Sequence, residues 1–435
     1  DAIREADAAA AAARKAQADV IVRYKSDRSS QRVTRARALG AAHQRSLDLV
    51  NAESFRLTKR QIEVLANDPD IEMISPDHEI SAFLDRAAAS ANYNQLANYL
   101  DGMHMAKGGG IGIAIIDSGM EVNHPNFNGF NTSTSRIVYS ESFVSGEPVN
   151  DWYGHGTHVG GIAAGADNLT SLSGNALAHW FWGLAPDATI INLKVLDQNG
   201  VGKDSNVIAA LNRAVQLKSK YNIRVINLSL GRPVTASYKI DPLCQAVEAA
   251  WKAGIVVVVS AGNYGRDNSS GNNGYGTITA PGNDPYVITV GAVNDKSDTD
   301  RTNDVIATYS SKGPTAIDHI VKPDLVAPGN RIISYQSGGS NMVKNYPANR
   351  PDVDYYFPSA TSAPSPHFFQ LSGTSMAAPV VTGIVAELLA KTPSLTPDQV
   401  KARLMRTAWR GFPSVMSTYD PSTGQTYTAN ADIFT

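Results

Sequence analysis

Gly-Thr-Ser-Met-Ala-Ala-Pro, at residues 373–379, begins an apolar helical pattern in this chain of 435 residues. Gly373 permits an unusual backbone turn, and Ser375 lies at the predicted start of the helix. A serine in this position is usually only an N-cap. It becomes a nucleophile where a base can take the proton of its hydroxyl group. Other parts of the chain therefore decide between a capping serine and a catalytic one.

Two earlier stretches supply a base and an acid. Residues 154–161, Gly-His-Gly-Thr-His-Val-Gly-Gly, contain His155, whose imidazole is suited to accept a proton near neutral pH. Residues 115–119, Ile-Ile-Asp-Ser-Gly, put Asp117 at the end of a predicted strand. Such a carboxylate would hold the imidazole in the required tautomer. Without the other two motifs, Asp117 would be better explained as a strand-end or turn residue.

A second histidine offers an alternative interpretation. His158 follows His155 by three residues, so the two could be ligands on one helical turn. Two ligands do not make a zinc site, and the chain has a single cysteine and no His-Glu-x-x-His segment. We therefore assign His158 to helix packing and no residue to a metal site.

The order Asp, His, Ser and the residues around each member resemble the subtilisin-like serine peptidases, or subtilases. This resemblance implies a catalytic triad of Asp117, His155 and Ser375. It also implies that Asn263, after a predicted buried strand, donates a hydrogen bond to the oxyanion alongside the backbone N–H of Ser375. By itself, an asparagine next to Gly262 is better explained as a left-handed turn.

The same resemblance implies a site for an extended peptide, which adds as a strand between two edge segments. These segments are Ser229-Leu230-Gly231 and Gly200-Val201-Gly202. The primary pocket is predicted to contain Leu230, Ala261, Gly262, Tyr264 and Thr279. Because this set has no acidic member, we expect an uncharged, apolar P1 residue rather than Lys or Arg.

The chain beyond the first hundred residues alternates short β-branched runs with helical patterns, which predicts an α/β fold with a mostly parallel, twisted sheet and helices on both faces. The predicted strands are 111–116, 190–195, 225–228, 255–260 and 287–292. The predicted helices are 155–164, 204–219, 242–253 and 375–390. Asp117 then follows the carboxyl end of a strand, where open α/β sheets gather their chemistry.

Residues 19–83 have a different pattern, typical of a small α+β module. Strands are predicted at 20–24, 47–51 and 71–75, with a helix capped by Thr58. The alternative is an α+β domain unrelated to the catalytic region that follows it.

This module resembles the ferredoxin-like inhibitory pro-domain of subtilases, and it lies directly before the catalytic region. Its last residues, 77–83, resemble the strand that such pro-domains lay into the cleft. The resemblance implies self-cleavage between Phe83 and Leu84, with Phe83 as the P1 residue.

The remaining segments complete the predicted organisation. Residues 1–18 form an alanine-rich leader, disordered or helical; 84–95 form a polar linker; 96–411 form the catalytic domain; 412–435 form a polar extension that ends as if truncated. No signal peptide is visible, and we expect that an export signal has been removed.

Composition excludes some classes of function. A net charge of −2 gives no electrostatic reason to expect nucleic acid or a membrane surface as a partner. The apolar run 255–259 is far shorter than the roughly 20 residues that span a bilayer. The lone Cys244 excludes an internal disulfide and is expected in helix packing.

Two features depart from the family pattern. Many subtilases have His-Pro-Asp after the catalytic aspartate, whereas this chain has Asn126 in place of that usual calcium carboxylate. Since a hard cation prefers anionic oxygens, a structural calcium is left unassigned. Residues 336–370 form an insertion rich in Pro, Ser and Tyr, which either rims the cleft or covers the surface.

The sequence thus predicts a secreted, self-processing serine endopeptidase that acts on polypeptides, is held inactive by its own pro-domain, is a monomer and needs no cofactor for catalysis. Two alternatives belong to other classes. A catalytically silent relative would serve as a binding module, and a transpeptidase or ligase with the same triad would pass the acyl group to an amine rather than to water.

Overall fold

The computed structural model describes residues 17–26, 34, 36, 38–82, 107–130, 132–166, 168, 182–296, 300–356 and 360–430. The β-strands, in chain order, are β1 (Gln17–Tyr24), β2 (Ala42–Leu47), β3 (Ala52–Thr58), β4 (Ile71–Pro76), β5 (Glu79–Ala82), β6 (Gly112–Asp117), β7 (Ile137–Ser142), β8 (Thr189–Lys194), β9 (Val201–Lys203), β10 (Ile223–Leu228), β11 (Leu230–Gly231), β12 (Val256–Ser260), β13 (Ile288–Asn294), β14 (Val305–Ile306), β15 (Leu325–Pro328), β16 (Ile332–Tyr335), β17 (Phe368–Leu371), β18 (Val415–Asp420) and β19 (Gln425–Asn430).

The α-helices, in the same order, are α1 (Lys59–Ala66), α2 (His155–Ala164), α3 (Asp204–Tyr221), α4 (Pro242–Lys252), α5 (Asn341–Asn345), α6 (Thr374–Lys391) and α7 (Pro397–Thr407). Each predicted helix of the catalytic region is present, with ends that differ by at most two residues.

The main body is built on an eight-stranded sheet with the order β14-β13-β12-β10-β6-β8-β7, in which β15 also pairs with β13. Every pairing is parallel except that of β13 with β14. Strands β6 and β12 are buried at every position, as strands covered on both faces must be. The predicted α/β fold is confirmed.

Helices cover both faces of this sheet. Helices α2 and α6 pack against each other, as do α3 and α4, and members of both pairs contact the central strands. By length and composition α6 is apolar enough to cross a membrane, but 78% of it is buried inside the protein. It is therefore a core helix of the main body.

The N-terminal unit is an antiparallel sheet with the order β2-β3-β1-β4, against which α1 packs. Thr58 caps α1 in a capping box with Gln61, as its sequence suggests. The prediction of a strand at 47–51 is wrong. Strand β2 ends at Leu47, a single 3-10 turn follows, and Asn51 adopts a left-handed conformation with φ of 57°.

Strand β3 was missed because buried polar residues interrupt its apolar pattern. Glu53 is buried, and its carboxylate lies 2.7 Å from Nε2 of His43 on the neighbouring strand β2. A buried carboxylate needs such a partner, and here the partner lies on the neighbouring strand, so local periodicity does not reveal it.

A buried arginine holds the turn before β7 to the rest of the main body. The guanidinium of Arg136 donates to four backbone carbonyl oxygens: those of Asn126 at 3.2 Å, Asn128 at 3.1 Å, Ala164 at 2.7 Å and Ala188 at 2.9 Å. Burial lowers the pKa of this group to about 10, so it remains charged at neutral pH. One side chain thus joins three segments of the chain.

We predict that Arg136→Met lowers the free energy of unfolding by about 3 kcal/mol, because four buried carbonyl groups lose a charged donor. Chemical denaturation monitored by fluorescence measures the loss. The matched control is Arg213→Met, which removes a partly exposed ion pair with Glu141 and is expected to cost under about 1 kcal/mol. Equal losses in the two variants would contradict the assignment.

Candidate active site

The acid and the base meet where a strand ends and a helix begins. Asp117 is the last residue of β6, and His155 is the first residue of α2. Nδ1 of His155 lies 2.8 Å from Oδ1 of Asp117, and both side chains are buried. Neither Oδ2 of Asp117 nor Nε2 of His155 has a hydrogen-bond partner among the described residues. The imidazole is therefore oriented through one nitrogen and has the other available.

Ser375 is the second residue of α6 and is also buried. Its Oγ donates to the carbonyl oxygen of Ser229 at 3.0 Å, while Oγ of Ser229 donates to the carbonyl oxygen of Ser375 at 2.8 Å. In this conformation the Ser375 hydroxyl is turned toward Ser229 rather than toward His155. The backbone N–H of Ser375 lies in the first turn of α6, where N–H groups have no partner within the helix.

Asn263 lies three residues beyond the end of β12, beside the start of α6. Its Oδ1 accepts hydrogen bonds from the backbone N–H of Thr374 at 3.0 Å and from the Thr374 hydroxyl at 2.9 Å. Its Nδ2 is buried and has no partner among the described residues. Since the oxygen is occupied by two donors, the amide N–H groups are left to face the site.

A further carboxylate, which the sequence did not suggest, joins the loops of the acid and the base. Asp151 is fully buried and accepts a hydrogen bond from Oγ of Ser118 at 2.8 Å. It also accepts from the backbone N–H groups of Gly154 at 2.7 Å and Thr157 at 2.8 Å. The Ser118 hydroxyl in turn accepts from Gly156 N–H at 2.9 Å. The available signal was an acidic residue four positions before His155, the predicted base.

Lys194 is a buried cation on the neighbouring strand β8, which sequence reasoning also missed. Its Nζ donates to the carbonyl oxygens of Ser118 at 2.7 Å and Asn150 at 3.0 Å, and it lies 3.2 Å from a carboxylate oxygen of Glu147. Ser118 follows Asp117, and Asn150 belongs to the loop that precedes His155. Lys194 therefore holds the same two loops together.

The two predicted edge segments flank β5, the strand that follows the N-terminal sheet in the chain. Strand β5 is antiparallel both to β9 and to β11 and completes a three-stranded sheet. Ala82 is opposite Leu230, and its backbone N–H donates to the carbonyl oxygen of Gly200 at 3.2 Å. Ile80 is opposite Gly202, and its side chain is buried in the main hydrophobic core. Phe83 and Leu84 lie outside the described residues.

Three of the predicted pocket residues, Ala261, Gly262 and Thr279, lie together. Thr279 donates its backbone N–H to the carbonyl oxygen of Ala261 at 3.1 Å. Gly262 has φ of 105°, and a Cβ there would lie 2.7 Å from the Thr279 side chain, so only glycine fits. Leu230 is buried on the edge strand β11, while Tyr264 is exposed.

His158 faces away from His155. Its Nε2 lies 2.9 Å from the carbonyl oxygen of Phe369 and 3.1 Å from that of Ile332. Burial, reinforced by the neighbouring His155, lowers the pKa of His158 to about 3, so it is neutral. These contacts are those of a packed helical residue. Within the described segments, no cluster of three His, Cys, Asp or Glu side chains could hold a metal ion.

The turn that would bear the family's calcium is held by nitrogen donors. Oδ1 of Asn126 accepts from the backbone N–H of Asn168 at 3.0 Å, and Nδ2 of Asn168 donates to the carbonyl oxygen of Pro125 at 2.9 Å. Arg136 takes two further carbonyl groups of the same turn. Calcium requires six to eight oxygen ligands. The described residues of this turn therefore do not fit a calcium ion.

The insertion predicted at 336–370 connects β16 to β17 and lies beside the loop that leads into α2. The backbone N–H of Asn341 donates to the carbonyl oxygen of Trp152 at 2.9 Å, and that of Met342 to Tyr153 at 3.0 Å. The insertion was expected either to rim the cleft or to cover the surface. These contacts agree with a position at the rim of the cleft.

Comparison with known proteins identifies the family. The chain matches the model of the subtilase family, peptidase S8, over residues 108–431. It is 33% identical over 361 residues to serine protease AprX of Bacillus subtilis (strain 168), covering 82% of this chain and 73% of that protein. It is 30% identical over 373 residues to subtilisin E of the same organism, covering 85% and 78%.

A solved structure agrees. Fervidolysin from Fervidobacterium pennivorans, a keratinolytic enzyme related to subtilisin, has a TM-score of 0.64 and 22% identity to this chain. The match covers 91% of this chain and 57% of that one, and at this identity it shows the fold alone. With the sequence matches, the conclusion is that this chain belongs to the subtilase family and is a serine-type endopeptidase that acts on polypeptides.

Proposed function

We propose that this endopeptidase is made as a pro-enzyme, cleaves itself after its N-terminal unit, and hydrolyses peptide bonds through Asp117, His155 and Ser375. The observation that carries the proposal is the position of β5. This strand fills the gap between β9 and β11 and ends opposite Leu230, next to the serine whose carbonyl group contacts Ser375. It occupies the place that an extended substrate would take.

The proposed reaction begins when the Ser375 hydroxyl turns from Ser229 to Nε2 of His155. Its Oγ attacks the carbonyl carbon of the substrate as the imidazole takes the proton, and the carbonyl electron pair moves onto oxygen. The oxyanion accepts hydrogen bonds from Nδ2 of Asn263 and the backbone N–H of Ser375. Asp117 stabilises the imidazolium that forms.

The imidazolium then gives its proton to the leaving amine, and the C–N bond breaks to leave an acyl-enzyme. Water then attacks the ester as His155 takes its proton. The acyl C–O bond breaks to release the acid, and the imidazolium gives its proton to Oγ of Ser375. These steps use side chains, one backbone N–H group and water, so we infer that catalysis requires no cofactor. Passing the acyl group to an amine would be the transpeptidase alternative.

Contacts outside the cleft support an inhibitory role for residues 19–83. The carboxylate of Asp77 accepts from the backbone N–H of Ser205 at 2.9 Å and from its hydroxyl at 2.6 Å, in the first turn of α3. A carboxylate is favoured at the amino end of a helix. Asp19 pairs with Lys203 on the edge strand β9. Both contacts hold β5 in register with the cleft.

A pro-enzyme delays proteolysis until after synthesis, which suits an enzyme released from the cell. We therefore propose that the chain is secreted and acts as a monomer, with its own N-terminal unit as its inhibitor. A single buried cysteine agrees with a secreted chain that has no disulfide framework.

The first prediction concerns self-processing. The purified wild-type chain is expected to acquire a new N-terminus at Leu84, whereas Ser375→Ala remains whole, because it has no nucleophile. Intact mass and N-terminal sequencing after identical incubation measure this. Ser372→Ala is the matched control, since its hydroxyl accepts a hydrogen bond from the backbone N–H of Arg331, and it should still be processed. Processing of Ser375→Ala would overturn the proposal.

A second prediction tests the role of Asp151. We expect Asp151→Asn to lower kcat about 10- to 100-fold with KM changed less than about twofold, because a neutral amide weakens the charge-assisted bonds that fix the loops of Asp117 and His155. Steady-state kinetics of active-site-titrated enzyme measure it. Exposed Asp187, changed to Asn, is the control. An unchanged kcat would exclude this positioning role.

A third prediction concerns the P4 position, which Ile80 occupies if Phe83 is P1. Ile80 is 1% exposed, and burying such a side chain contributes about 2 kcal/mol. The peptide anilide Ile-Ser-Ala-Phe is therefore expected to have a kcat/KM roughly 30-fold above that of Asp-Ser-Ala-Phe. Replacing the P3 serine by alanine is the control. Equal rates for Ile and Asp at P4 would contradict the assigned register.

A further inference from the structure

The C-terminal hairpin of β18 and β19 contacts the main body through a buried carboxylate. Asp420, the last residue of β18, is 4% exposed. It accepts a hydrogen bond from the hydroxyl of Thr308 at 2.7 Å and forms an ion pair with Arg266. These bonds, together with those from Ser422, hold the pKa of Asp420 at about 2 despite its burial. The carboxylate is therefore charged throughout the neutral range.

Arg266 belongs to the loop that begins after Asn263. Its Nε donates to the hydroxyl of Thr308 at 3.0 Å, and its guanidinium lies over the ring of Tyr309, 5.6 Å from the centroid. The preceding residue, Gly265, donates its backbone N–H to the carbonyl oxygen of Tyr309 at 2.8 Å. A Cβ on Gly265 would lie 2.1 Å from the carbonyl oxygen of Ser310, so this loop lies directly on the segment that Asp420 holds.

The far end of the same loop is bound to the same hairpin. The hydroxyl of Tyr275 accepts from the backbone N–H of Asn430 at 2.9 Å. Nζ of Lys312 donates to the carbonyl oxygen of Thr428 at 2.9 Å and also to that of Asn273. The hairpin therefore contacts the loop near both of its ends.

The loop also adjoins the residues assigned to the primary pocket. The backbone N–H of Ser311 donates to the carbonyl oxygen of Gly262 at 2.9 Å, and the hydroxyl of Ser311 accepts from the backbone N–H of Tyr264 at 3.1 Å. A continuous series of bonds thus runs from the hairpin, through residues 308–311, to the wall of the pocket.

We propose that Asp420 is a positioning residue for the primary pocket, and that the C-terminal hairpin thereby sets how large a P1 side chain the enzyme accepts. The inference rests on the proposed function, since it takes Gly262 and Tyr264 to line that pocket. Removing the charge of Asp420 breaks its ion pair with the guanidinium of Arg266, and the loop loses its fixed position. A large P1 side chain contacts this wall, whereas an alanine side chain is too short to depend on it.

The test compares two peptide anilides, Ile-Ser-Ala-Phe and Ile-Ser-Ala-Ala, with wild type and with Asp420→Asn. We expect the ratio of kcat/KM for Phe over Ala to fall at least tenfold in the variant, with kcat/KM for the Ala peptide changed less than threefold. Active-site titration normalises for folded enzyme. A purely structural role would lower both values together. Tyr419→Ser, at an exposed position of the same hairpin, is the matched control and should keep the wild-type ratio.

A second variant keeps the proposal testable if Asp420→Asn fails to fold. Arg266→Gln is expected to lower the same ratio, and the double variant with Asp420→Asn should fall no further, because both changes break one ion pair. An unchanged ratio in both single variants, or additive effects in the double variant, would overturn the inference while leaving the proposed function intact. A wild-type enzyme that cleaves neither peptide would overturn both.

Discussion

The hydrogen bond of 2.8 Å between Asp117 and His155 is the contact on which the rest of the site depends. Its two partners come from the end of β6 and the start of α2, so its length is set by how that helix lies on the sheet. Asp151 makes this relation rigid, since one buried carboxylate accepts a hydrogen bond from Thr157 in the first turn of α2 and another from Ser118 beside the acid. The geometry of the proposed triad is therefore a property of two loops bonded to each other rather than of any single motif.

The second constraint is the open edge of two short strands. Strands β9 and β11 have three and two residues, and each has main-chain groups that require a partner. Strand β5 provides these hydrogen bonds within the chain, and a substrate would provide them in the same way. Under the proposed function, inhibition and recognition would use one set of main-chain bonds. A cleft of this kind would accept many sequences, while Ile80 and the pocket would impose a preference at particular positions.

Much of this molecule follows from local sequence. The central strands and helices were predictable because each is a continuous apolar run or a periodic pattern, and α2 matches its predicted bounds. Most of the residues that were missed depend on partners from other strands or segments. Glu53 needs His43, Arg136 needs four carbonyl groups, and Lys194 lies beside the acid only because β8 pairs with β6. No local pattern reports a partner that folding brings from elsewhere in the chain.

The site contains buried polar atoms that have no hydrogen-bond partner among the described residues. Folded proteins satisfy nearly all buried polar atoms. Within the described chain, Oδ2 of Asp117, Nε2 of His155 and Nδ2 of Asn263 are buried and have no hydrogen-bond partner. In each of these side chains a second polar atom makes a hydrogen bond that fixes the orientation of the group, and the atom without a partner remains available. A reacting peptide would supply hydrogen-bond partners for the imidazole and the amide. These hydrogen bonds are absent in the resting enzyme, so their free energy stabilises the transition state selectively.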